Sequence, residues 1–121
     1  MATPALGSIL LGTTNPDRLR AWYIAALGPE ESEEGFLDFG GVALLIDGRT
    51  DVADKNPEPG RVILNFHVDD AHATAAQLDE VGALWLVEVE DRGVGFFGTL
   101  VDPDGNYIQI IQMKDGDPPS R

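Results

Sequence analysis

The chain closes on the block Asp102-Pro103-Asp104-Gly105-Asn106-Tyr107-Ile108-Gln109-Ile110-Ile111-Gln112, a turn signal that runs straight into an alternating apolar strand. Pro103 pre-sets φ, Asp104 can bond its own backbone, and Gly105 supplies a positive φ. A weaker copy stands earlier as Asp38-Phe39-Gly40-Gly41-Val42-Ala43-Leu44-Leu45-Ile46. Two halves that each end this way predict an internally duplicated fold, and duplication restricts where a binding site can lie.

The segment before each closing block fits that reading. Residues 7–13 read as a short buried strand. Asn15 then reads as a helix N-cap, with Pro16 at the first helical position and Asp17 in the first turn. The helix is predicted to run to about Leu27 and stop at Gly28, burying Leu19, Trp22, Tyr23, Ala26 and Leu27. Residues 30–34 are acidic and unpatterned, a short edge strand or a loop. Residues 35–39 and 42–47 read as a hairpin through Gly40-Gly41. Residues 48–60, polar and proline-containing, read as the linker between halves.

In the second half, residues 61–68 read as a strand, and Asp69 or Asp70 caps a helix through Val81 that Gly82 ends. Residues 9–28 and 63–82 have equal length, so the strand–helix unit repeats. Three more strands follow at residues 84–90, 94–101 and 107–112, joined by Asp91-Arg92-Gly93 and by the Pro-Asp-Gly turn. The expectation is one α+β domain over residues 1–121. Module one covers about 7–47, module two about 61–112, and residues 113–121 form a frayed tail. Each module is β-α-β-β-β, with its helix on the outer face of a mixed sheet and the other sheet face turned to a cupped groove.

Composition excludes several classes of function. A net charge of −13 opposes binding to nucleic acid and to anionic lipid, and steers toward cationic ligands. No apolar run approaches the ~20 residues of a membrane span. The chain has no Cys, so there is no disulfide, thiolate metal ligand or Cys nucleophile, and the expected setting is cytoplasmic.

With Phe66-His67-Val68-Asp69-Asp70 opening the second helix and Asp102-Pro103-Asp104-Gly105-Asn106 opening the last strand, the chain resembles the vicinal oxygen chelate superfamily. That group includes glyoxalase I, bleomycin-resistance proteins and extradiol dioxygenases. The resemblance implies a metal site with one ligand on the first and one on the last strand of each half, usually His or Glu. By motif spacing those positions are Ser8, Leu45, Ile63 and Gln109. Leu45 and Ile63 have no lone pair, and Ser8 is a weak neutral donor. The expectation is therefore no metal, no other cofactor and no catalytic residue. His67 at a strand end and His72 in a first helical turn do not supply the missing ligands.

The same positions mark a groove face. Its expected lining is Ser8, Leu10, Ala43, Leu45, Ile63, Asn65, Trp85, Phe97, Thr99, Tyr107, Gln109 and Ile111, with Phe96 and Leu100 facing the helices instead. Trp85, Phe97 and Tyr107 are the rings expected to stack on a planar ligand. Asp38, Asp47, Asp102 and Asp104 are candidate rim carboxylates, although all four also suit turn chemistry. Relatives of this size imply a homodimer, often strand-exchanged, with a groove at the interface. The reading is a metal-free protein that sequesters an aromatic or cationic small molecule, such as an antibiotic. The alternative is a lyase, isomerase or dioxygenase of the same superfamily with an atypical or absent metal site.

Overall fold

The computed structural model describes residues 2–115. Its strands and helices follow from local chemistry first. The carboxylate of Asp102 accepts from the backbone N–H of Asp104 (2.9 Å), from that of Asn106 (3.0 Å) and from the side-chain amide of Asn106 (2.8 Å). Gly105, at φ 80°, turns the chain with its N–H on the Asp102 carbonyl. The loop is thus folded around one carboxylate, which explains why Asp102 is buried. In the first half, Gly40 and Gly41 both have positive φ, and Phe39 pairs with Val42 across them, a two-residue hairpin.

The chain divides into two compact units, Met1–Asp54 and Lys55–Arg121. In the first, β1 (Ser8–Thr13), β2 (Glu30–Glu31), β3 (Leu37–Phe39) and β4 (Val42–Gly48) form a sheet in the order β1-β4-β3-β2. In the second, β5 (Leu64–His67), β6 (Leu84–Asp91), β7 (Gly95–Val101) and β8 (Tyr107–Met113) form a sheet in the order β5-β8-β7-β6. Each is mixed: β1 runs parallel to β4 and β5 parallel to β8, and the remaining pairs are antiparallel. The expected duplication therefore holds at the level of strand order.

One helix serves each sheet. Helix α1 (Pro16–Leu27) starts where Asn15 accepts from the Arg18 N–H at 3.2 Å, and stops at Gly28, whose left-handed backbone sends its N–H to the Ile24 carbonyl. Leu19, Tyr23 and Ala26 are buried with Leu37 and Leu44, whereas Trp22 and Leu27 are only half-buried. Helix α2 (Ala71–Glu80) is capped by Asp70 rather than Asp69, through the Ala73 N–H at 3.1 Å. The first helical N–H, that of Ala71, goes to the side-chain oxygen of Gln112 on β8 (2.9 Å). Ala71, Leu78, Leu100, Ile108 and Ile110 make the core of this unit.

One boundary differs from expectation. The strand read over residues 61–68 begins only at Leu64, the first residue that pairs with β8, so Ile63 precedes the strand and is exposed. Residues 49–54 close the first unit, and Lys55 and Asn56 tie to the Pro-Asp-Gly turn instead: Lys55 Nζ donates to the Pro103 carbonyl, Asn56 N–H to the Asp104 carbonyl at 2.8 Å, and Asn56 Nδ2 to Asn106 Oδ1 at 2.9 Å. Of the tail, Met113 completes β8 and the Lys114 N–H bonds the Val94 carbonyl; residues 116–121 lie outside the described residues.

Candidate functional site

Which face of each sheet is open follows from what the helix touches. Phe96 on β7 meets His72 of α2 edge-to-face, with ring centroids 5.2 Å apart, and Leu100 is fully buried on the same face. Phe96 and Leu100 thus face the helix, as the alternation predicts. Their neighbours Phe97 and Thr99 lie on the opposite, open face.

Register then assembles the open face of the second sheet. Thr99 stands opposite Gln109, and Gln109 opposite Asn65, so three polar groups form one row across β7, β8 and β5. Gln109 Nε2 donates to Thr99 Oγ1 at 3.3 Å. One pair further along, Phe97 stands opposite Ile111 and Ile111 opposite His67; in the other direction Tyr107 stands opposite Val101. Phe97, Thr99, Tyr107 and Gln109 are half-buried, Asn65 is exposed and Ile111 is buried. The result is an apolar and aromatic floor with a short central row of hydrogen-bonding groups, the make-up of small-molecule sites.

Trp85 does not belong to it. It pairs with Leu100, on the helix face, and its indole N–H donates to Asp79 of α2 at 2.7 Å. A Cβ on Gly98 would lie 3.0 Å from the Trp85 ring and 2.9 Å from Val89, so the bare glycine is what lets both side chains settle there. The expected stacking role of Trp85 is therefore corrected: its ring packs between sheet and helix, and its one polar atom is already used.

In the first sheet, Ser8, Leu10, Ala43 and Leu45 share the open face, with Leu10 directly beside Leu45 across the parallel pair. Leu10, 56% exposed, and Leu45 border a shallow concavity of about 150 Å³ with Glu34, Gly35, Phe36, Ile46 and Asp47. Asp38 stands on this face directly opposite Glu30. Farther along β1, Gly12 lies under Arg49 and Val52, and a Cβ there would meet Arg49 Cδ at 2.6 Å.

The candidate rim carboxylates separate into two kinds. Asp102 and Asp104 are buried in the closing turn and are not rim groups. Asp47 is bound by Arg49 at 3.1 Å, and the same guanidinium holds Asp51 at 2.7 Å, which lowers the Asp51 carboxyl below its usual range and raises Arg49. Asp38 remains exposed.

Sequence reasoning missed several residues on the open face: on β6, Val87 stands opposite Thr99 and Glu90 opposite Phe97. Arg92, read only as part of a turn, places its guanidinium 4.9 Å from the centre of the Phe97 ring. Its Nε reaches Glu90 at 3.4 Å. On the other face Lys114 lies over Phe96 at 5.2 Å and is bonded to Asp91 at 2.8 Å, and that bond, with the Gly93 N–H, holds the Asp91 carboxyl low. Nothing in the motif Asp91-Arg92-Gly93 signals this; only the tight β6–β7 turn swings Arg92 back over the strand.

A resident metal does not fit the residues present. The marker positions in the first unit are a hydroxyl (Ser8) and a hydrocarbon (Leu45), and in the second a hydrocarbon that precedes its strand (Ile63) and an amide (Gln109). Among the described residues no three His, Cys, Asp or Glu side chains come together in a way that could hold a metal ion. Likewise, among the described residues no hydrogen bond joins either histidine to a carboxylate. Nor, among these residues, is any helix long and apolar enough to cross a membrane.

The strand order, the paired helices and the turn motifs define a glyoxalase-type α+β protein. Residues 8–111 match the model of the glyoxalase-like domain, a span that includes both units, and the chain belongs to that family. Among solved structures it is similar to TnmS3, an antibiotic binding protein from Streptomyces sp. CB03234, at 21% identity and a TM-score of 0.70, covering 94% of this chain and 99% of that one. It is also similar to a glyoxalase/bleomycin resistance protein/dioxygenase family enzyme from Burkholderia phytofirmans PsJN, at 17% identity and a TM-score of 0.74, covering 91% and 99%. UcmS2 is similar at 19% identity and a TM-score of 0.68, covering 91% and 98%. No curated protein matches the chain.

Proposed function

We propose that this protein binds and sequesters an aromatic small molecule, such as a natural-product antibiotic, without a metal and without altering it. The observation that carries the reading is the open face of the second sheet, where half-buried Phe97 and Tyr107 flank the hydrogen-bonded Thr99–Gln109 pair. Burial and stacking on the rings would supply affinity, and the amide and hydroxyl would orient the ligand. The hydrocarbon side chains of Leu45 and Ile63, at two of the marker positions, favour binding over chelate chemistry. The likeness to an antibiotic binding protein supports the same choice. The working form we propose is a cytoplasmic homodimer with one groove per protomer at its interface.

The test is calorimetric titration with planar aromatic antibiotics, followed by mass spectrometry of the recovered compound and elemental analysis of the protein. Stoichiometric binding of a compound that returns unchanged is expected, and Phe97→Ala should weaken it roughly tenfold through lost stacking. A chemically altered compound, a stoichiometric metal, or equal affinity in Phe97→Ala would overturn the proposal.

A further inference from the structure

We infer that Arg92 and Phe97 together select ligands that are planar, aromatic and negatively charged, a specificity that rests on the small-molecule reading above and sharpens it. Two consecutive phenylalanines end up on opposite faces of β7, and each is covered by a cation: Phe96 by Lys114, Phe97 by Arg92. The two cations are held very differently. Lys114 makes a 2.8 Å bond to Asp91, and its backbone N–H is anchored on Val94. Arg92 is tied by its backbone N–H to Gly95, but its guanidinium has only the long 3.4 Å contact from Nε to Glu90. Neither terminal nitrogen of Arg92 has a hydrogen-bond partner among the described residues.

Those nitrogens are donors in a fixed planar fork that matches a carboxylate, sulfonate or phenolate. The fork lies against an aromatic ring on the half-buried open face, where a flat ligand can lie against the same guanidinium–phenyl stack. A cationic ligand would meet Arg92 as a like charge at this spot. The overall charge of −13 slows the approach of an anion, yet it does not supply what the bound anion needs, which is local donors. Glu90 is the group that competes with the ligand for Arg92, because it faces Phe97 across the β6–β7 pair.

The experiment titrates the full chain with anthraquinone-2-carboxylate and with its neutral carboxamide, which share shape and stacking area and differ in charge. The wild type should bind the carboxylate about tenfold more tightly, the size of one charge-assisted hydrogen bond. Arg92→Gln should lose that preference, while Glu90→Gln should raise the preference by releasing Arg92. Both positions are exposed, and circular dichroism checks that each variant folds. Equal binding of the two probes by the wild type, or a preference that survives Arg92→Gln, overturns this inference and leaves aromatic binding standing. Failure of both probes to bind removes the inference and counts against the broader reading as well.

Discussion

At the scale of single residues, Gly98 carries more structural consequence than its composition suggests. Its missing side chain is the space that the Trp85 ring and Val89 occupy, and the Trp85 indole then reaches Asp79 on the helix. Gly98→Ala should therefore destabilise the protein by about 1–3 kcal/mol, the usual penalty for overpacking a filled site. Urea denaturation measures this; a loss below about 0.5 kcal/mol would mean that Val89 and the indole yield easily. The face taken by Trp85 was not legible from the sequence for a physical reason. The strand Leu84-Trp85-Leu86-Val87 is apolar at every position, so it has no alternation from which a face could be assigned. Only pairing with Leu100 decides it, and the register then shifts twice, between Trp85 and Val87 and between Val87 and Glu90. Phe96 and Phe97 were legible because β7 pairs without interruption to β8 through a motif-anchored turn.

Among the elements, the helix starts and the tight turns were the legible parts, since their chemistry is complete within a few residues. Asn15, Pro16, Gly28 and the Gly40-Gly41 turn each do what their residue types dictate. The start of β5 was not legible, because Val62 and Ile63 are as apolar as Leu64, and only the pairing of Leu64 with Ile108 marks the first strand residue. Helix α2 gives a direct test of capping. Asp70 satisfies the Ala73 N–H from an exposed position, so Asp70→Ala should lower stability by about 1 kcal/mol, and Asp70→Asn by much less. Equal losses in the two variants, read by thermal denaturation, would show that charge and not the hydrogen bond matters there. Gln112 adds an anchor that no capping rule anticipates: a strand side chain that closes the first N–H of the helix packed against it.

For the whole molecule, the dominant quantity is charge. With 21 acidic residues against 8 Lys and Arg, the native state concentrates like charges that the unfolded chain spreads apart. The ion pairs do not offset this. Arg49, Arg61, Arg92 and Lys114 all pair with acids at partly exposed sites, where such bonds contribute little. Raising sodium chloride from about 10 to about 150 mM shortens the Debye length from about 30 to about 8 Å and should raise the melting temperature. A fall in melting temperature would mean that the surface pairs outweigh the repulsion. At this scale the duplication itself was legible, since both halves carry a turn-then-strand ending that maps to β4 and β8, each the inner partner of a parallel pair. The site was legible only in outline. Thr99, Gln109, Phe97 and Tyr107 could be placed by alternation, but Arg92 could not, because the reach of a turn residue depends on where the turn aims it.

The repeated strand order has a consequence for how such a protein can change. The two sheets share one architecture, yet their open faces have almost nothing in common: Ser8, Leu10, Ala43 and Leu45 in one, Asn65, Phe97, Thr99 and Gln109 in the other. The helix caps Asn15 and Asp70 and the helix-facing Leu44, Leu100 and Ile110 preserve the frame, and none of these side chains stands on the open face. Inheritance of the scaffold and invention of specificity thus draw on separate sets of positions, and a lineage can rewrite one without renegotiating the other.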